Sequence, residues 1–178
     1  MTLLEGRRLS AALASVLLAG LFVLVAGPVP AQAAASSRLA AEGCSQKTDN
    51  RSSDNWTAAE WKICVGNYGG PNGEADAKCW AGQTIGWSAS PCWISGQFEI
   101  LKGGDVIKSG PFFLDVPLDG VVTSRPFRFT CQGYGEYTFR TSGAQATLYV
   151  TDKNGNSYAR PGYQSARIAD ATATVTMC

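Results

Sequence analysis

Five tryptophans, Trp56, Trp61, Trp80, Trp87 and Trp93, all fall between residues 56 and 93. Indole faces stack on sugar rings and on apolar ligands, so an exposed cluster of them forms a binding platform. Trp61 shares parity with Ile63 and Val65 and belongs in a core. Trp80 keeps register with Glu74, Asp76 and Lys78, the side expected to face solvent. Trp87 lies in a Gly/Ser-rich connection, and Trp93 sits beside Cys92. Trp80, Trp87 and Trp93 are therefore the expected ligand-binding residues, on a Trp-rich loop surface.

Paired carboxylates are the second source of chemistry. Two Asp or Glu groups at a suitable separation cleave glycosides without any histidine. Glu99 and Glu136 lie on the polar sides of expected strands, and Glu74 and Asp76 on another. A carboxylate-based hydrolase using Glu99 and Glu136 is the rival reading. The chain has no histidine, which excludes a Ser-His-Asp triad, a Cys-His dyad and a His metal ligand. Neither Gly-x-Ser-x-Gly nor Ser-x-x-Lys occurs. Asp152-Lys153-Asn154-Gly155-Asn156 begins like a calcium loop, but glycine stands fourth and the twelfth position is Tyr163. It reads instead as a hairpin turn. No catalytic residue, metal or cofactor is expected.

The six cysteines, Cys44, Cys64, Cys79, Cys92, Cys131 and Cys178, are widely spaced and even in number. In an exported protein that reads as three disulfides rather than a metal site. Cys79 and Cys92 are the best single pair, on the two sides of a hairpin. Cys178 is the last residue, with Cys131 or Cys44 as its partner.

Export follows from the first 33 residues. Arg7 and Arg8 precede an uncharged apolar run from Leu9 to Ala26, then Gly27, Pro28 and Pro30 break any helix. Ala31-Gln32-Ala33 has the small-x-small form of a cleavage site, so residues 1–33 read as a signal peptide of bacterial character. An uncleaved membrane anchor is the alternative. Removing Arg7, Arg8 and Glu5 takes the formal charge from +1 to zero. Zero charge argues against nucleic acid as a partner and against long-range steering. After cleavage no second long apolar run remains to engage a membrane.

Residues 34–55 are small and polar and read as a flexible leader, leaving 56–178 as a single domain. Within it, period-two alternation recurs at Trp61–Val65, Ala75–Ala81, Phe98–Ile100, Phe127–Cys131, Tyr137–Phe139, Ala146–Val150 and Ala171–Met177. Turn residues separate the runs, including Gly69 to Gly73, Lys102-Gly103-Gly104-Asp105 and Asn154-Gly155. Thr57 to Glu60 has capping-box form, but clean alternation with Ile63 and Val65 favours a strand over 60–66. The pattern predicts an all-β fold of seven to nine short strands, an antiparallel sandwich or a small barrel.

The Cys131-Gln132-Gly133-Tyr134-Gly135-Glu136-Tyr137 segment, with these strands, broadly resembles an immunoglobulin-type sandwich. That resemblance implies a fold and carries no function. The expected function is a secreted, non-enzymatic binding or interaction domain that uses its Trp-rich loop surface, its partner an extracellular protein or a glycan. The sharper form binds a carbohydrate or cell wall through exposed tryptophan.

Overall fold

The computed structural model describes residues 42–67 and 69–178. The expected signal peptide and residues 34–41 of the leader lie outside the described residues. The described chain forms twelve strands and one short 3-10 turn, Arg125–Phe127. Every strand pairing is antiparallel. Among the described residues no helix is long and apolar enough to cross a membrane.

Two six-stranded sheets face each other, and the fold includes a sheet curled into a half-barrel. The first sheet holds β1 (Glu42–Cys44), β2 (Thr48–Arg51), β3 (Thr57–Asn67), β4 (Pro71–Gln83), β5 (Gly86–Ala89) and β8 (Val121–Thr123). The second holds β6 (Cys92–Lys102), β7 (Asp105–Val116), β9 (Gly135–Thr151), β10 (Ser157–Ala159), β11 (Ala166–Arg167) and β12 (Ala171–Met177). The expected turns at Lys102–Asp105 and Asn154-Gly155 are both present as hairpins.

The expected alternation explains the core. Trp61, Ile63 and Val65 of β3 and Ala75, Ala77, Cys79 and Ala81 of β4 all point inward and are buried. They meet Ile94, Phe98 and Ile100 of β6, Phe112 and Leu114 of β7, and Phe139 of β9. Trp61 stacks on Phe112 at 5.9 Å, and its Nε1–H donates to Thr141 Oγ1 at 3.3 Å. That bond satisfies the one polar atom of a fully buried indole. Gly73 completes the inner face of β4. A Cβ there would lie 2.8 Å from the Phe139 ring, so the ring occupies the glycine's side-chain space. At the edge where β1 approaches β12, a Cβ on Gly43 would overlap the Thr174 carbonyl.

Three sequence expectations need correction. Residues 42–51, read as part of a loose leader, form β1 and β2 on the edge of β3. Their polar composition is compatible with a strand because side chains spend their hydrogen bonds locally. Asn50 Nδ2 donates to the Ala59 carbonyl at 3.2 Å, and its Oδ1 accepts the Ala169 N–H at 2.9 Å. These strands, and others of two to four residues too short to show alternation, raise the count above nine. Second, the alternating Phe127–Cys131 run is not a strand. Pro126 lies in the 3-10 turn Arg125–Phe127, and residues 128–134 form an irregular arch with a bridge from Arg128 to Asn72. Third, Cys79 and Cys92 do pair, but not across a hairpin. The hairpin is β4 with β5, closed at Gln83 and Gly86, and Cys92 lies beyond it on the second sheet.

The disulfides therefore do different work. Cys44–Cys64 ties β1 to β3 within the first sheet. Cys79–Cys92 joins the two sheets through the core. Cys131–Cys178 ties the arch to the residue after β12, which leaves Cys131 rather than Cys44 as the terminal partner. Beside it, buried Tyr137 holds the arch by its hydroxyl. It donates to the Gly133 carbonyl at 2.7 Å and accepts the Gln132 N–H at 2.9 Å.

Two outcomes follow. Cys79 and Cys92 are fully buried, whereas Cys44 and Cys178 are exposed. Under mild reduction with alkylation and mass mapping, Cys79 and Cys92 should label last; labelling them first would contradict the inter-sheet placement. Tyr137→Phe should cost about 0.5–1.5 kcal/mol in chemical denaturation, because it removes the hydroxyl that bridges a backbone donor and an acceptor of the arch. An unchanged midpoint would show that the clamp is idle.

Candidate functional site

The outer face of the first sheet is set by the register of β2, β3, β4 and β5. Arg51, Ala58, Trp80 and Ala89 lie side by side in one row, and Asp49, Glu60 and Lys78 in the next. Trp87 stands opposite Gly82. The small side chain of Ala58, between Arg51 and Trp80 in its row, leaves room beside the indoles. The result is a groove of about 260 Å³, walled by Trp80 and Trp87 and edged by Asp49, Arg51 and Glu60.

A second hollow of about 230 Å³ lies beside it, lined by Trp56, Gly82, Gln83 and Gly86, again with Trp87 as a wall. Trp87 is 38% exposed and Trp56 is 40% exposed. Trp56 was not among the expected site residues. It sits in a polar stretch with no parity to read, and only the β2–β3 turn brings it over Gly82. A Cβ on Gly82 would lie 3.0 Å from the Trp56 ring, and the Gly82 N–H donates to the Trp56 carbonyl at 2.7 Å.

Cations brace both walls. The Arg51 guanidinium lies 5.0 Å from the Trp87 ring centroid, and Lys78 Nζ lies 4.7 Å from that of Trp80. Arg51 also donates to Asn55 Oδ1 at 3.2 Å. Glu60 forms an ion pair with Lys47, and hydrogen bonding to that carboxylate raises the lysine above its ordinary pKa. The groove thus presents indole surface, a guanidinium donor and carboxylate acceptors together. That combination suits a ligand with an apolar face and several hydroxyls.

The three expected tryptophans do not share one surface. Trp93 lies on β6, on the outer side of the second sheet. It stacks on Tyr149 at 4.8 Å and meets Phe113 at 6.3 Å, while the Tyr149 hydroxyl donates to Asp115 Oδ1 at 2.8 Å. Burial, aided by Asp115, raises the Tyr149 pKa. The chain changes sheets between β5 and β6, so Trp87 and Trp93, though close in sequence, lie on different sheets.

Glu99 and Glu136 are not brought together either. Glu99 stands opposite Arg140, four residues along β9 from Glu136. At about 3.3 Å per residue that sets their backbone positions roughly 13 Å apart along the strand. Glu74 and Asp76 share the outer face of β4, with Lys62 opposite Asp76. Burial pushes the Glu74 carboxyl up, and the nearby Glu42 and Asp76 charges add to it. Asp152 spends its carboxylate on its own turn, accepting the Asn154 and Asn156 N–H groups at 2.8 and 2.9 Å. These bonds hold its pKa below the usual range and leave it a turn residue. Glu42, Cys44 and Cys64 bring ligand atoms within 4.8 Å of one another, but both sulfurs are spent in a disulfide.

No family model matches the chain, and no curated protein or solved structure matches it.

Asp54 positions the turn that carries Trp56. Its carboxylate accepts the Ser52 hydroxyl at 2.5 Å, the Trp56 N–H at 3.1 Å and the Gln164 N–H at 3.3 Å. The Ser52 bond, with the two backbone donors, depresses its pKa. A depressed carboxylate stabilises the fold above its unfolded pKa, and that contribution is lost as pH falls through the folded value. Asp54→Asn should therefore flatten the acid limb of a stability–pH curve while leaving its shape near neutrality. An acid limb identical to that of the parent would show that the turn does not depend on this charge.

Proposed function

We propose that this chain is an exported, non-enzymatic binding domain that holds a glycan in the groove between Trp80 and Trp87. The observation that carries the reading is Trp87 itself, an exposed indole that walls two adjoining hollows of about 260 and 230 Å³. Trp80 and Trp56 supply further indole surface, and Arg51, Asp49 and Glu60 supply the hydrogen-bonding groups that fix a sugar's orientation.

Three disulfides fit an oxidising, extracellular compartment. The signal-like first 33 residues and the zero charge of the remainder agree with secretion and with an uncharged ligand. An extracellular protein is the alternative partner. A concave groove that sets indole faces among a few convergent polar groups is the form a small sugar ligand uses, and on that ground the glycan is preferred.

The test is a titration of intrinsic tryptophan fluorescence with soluble glycans and peptidoglycan fragments, repeated on three variants. Trp80→Ala and Trp87→Ala should each weaken binding roughly tenfold or more, as loss of a central aromatic anchor does. Trp93→Ala, on the other sheet, should bind like the parent. No emission change with any glycan, or an equal loss in Trp93→Ala, would overturn the assignment.

A further inference from the structure

The arch over residues 128–134 is irregular, yet it is fixed at several points. Lys108 Nζ donates to the Arg128 carbonyl at 2.5 Å and to the Pro126 carbonyl at 3.3 Å. Phe129 stacks on Tyr137 at 5.5 Å. Cys131 is bonded to Cys178, and Tyr137 clamps Gln132 and Gly133. Lys102 donates to the Gln132 carbonyl. A loop without regular structure that is held this firmly is a pre-organised scaffold for a site.

Between the arch and β7 lies a pocket of about 400 Å³, lined by Ile107, Lys108, Arg128, Phe129, Thr130 and Gln132. The lining contains two cations, a hydroxyl and an amide, and no carboxylate. Lys108 spends two donors on carbonyls and lies 5.6 Å from the Phe98 ring centroid, so it brings the pocket chiefly its charge. The side chains of Arg128, Thr130 and Gln132 have no partner among the described residues. A guanidinium with its fork of donors unspent, beside an ammonium and two neutral donors, matches a bidentate oxyanion. This differs in kind from the Trp80–Trp87 groove, whose edges carry Asp49 and Glu60.

We propose that this pocket is a second binding site, for the phosphate or carboxylate group of an acidic polymer, with Arg128 as the principal contact and Lys108, Thr130 and Gln132 beside it. It lies apart from the tryptophan groove and does not require that groove to bind a glycan.

The test follows backbone amide shifts of the intact, disulfide-bonded protein at constant ionic strength. The probes are inorganic phosphate, a poly(glycerol phosphate) and an oligogalacturonate. Saturable shifts should centre on residues 128–132. Arg128→Gln and Thr130→Val, both exposed positions, should keep the fold. Arg128→Gln should weaken binding about tenfold or more. Arg140→Gln, an exposed arginine on β9, and Trp80→Ala should bind like the parent. Saturation by one polymer and not the other supports the site and identifies its anion. The proposal is overturned by shifts that never saturate, by unchanged binding in Arg128→Gln, or by an equal loss in Arg140→Gln.

Discussion

The inner face of β4 carries only small side chains, and the rest of the molecule is arranged around that fact. Gly73, Ala75, Ala77, Cys79 and Ala81 face the second sheet and are buried. The space they leave is filled by rings from elsewhere. Phe127 packs edge-on against Phe98 at 5.3 Å and against Phe112 at 5.4 Å, and meets Phe139 at 4.9 Å. Larger residues along this face would overpack an interior that has no slack. The bulk of β4 stands on the other side, in Glu74, Asp76, Lys78 and Trp80. The alternation that thins the core side loads the outer side, and this is what makes Trp80 available to a ligand.

The same constraint explains the disulfide in the core. A cysteine is one of the few residues small enough for the inner face of β4, and Cys92 enters from β6 at the matching level. In the chain-entropy picture, closing a loop of this size contributes about 3 kcal/mol. Its position also pins the crossover from the first sheet to the second, between β5 and β6. Trp87 and Trp93 are six residues apart in sequence and lie on different sheets because of that crossover.

Much of the fold was legible because its strands have one dry face. Trp61, Ile63 and Val65, and the alanines of β4, announced their side by parity alone. Trp80 was placed outward for the same reason. Features that do not depend on a dry face left no such trace. β1 and β2 are edge strands whose polar side chains bond locally or to the 163–169 region, so composition made them look like a leader. The Phe127–Cys131 run alternates because Phe127 and Phe129 both pack inward from an irregular arch, which mimics a strand. Trp56 carried no periodic signal because a turn with Asn55 at φ 58° delivers it to the groove. Register between strands, which assembles the groove and separates Glu99 from Glu136, is a tertiary property that periodicity within one strand does not encode.

Two surfaces of different chemistry thus rest on one sandwich. The groove on the first sheet joins indole faces to mixed charge, and the pocket under the arch joins cations to neutral donors. Trp61 and Trp93 serve as internal references for the first of these, one in the core and the other on the opposite sheet. The most direct measurement is the set of five indole N–H resonances during titration with soluble glycans and peptidoglycan fragments. The account predicts that Trp80 and Trp87 move together and saturate together while Trp61 and Trp93 stay in place. Movement of Trp93 with Trp80 and Trp87 unmoved, or no movement of any indole with any glycan, would contradict it.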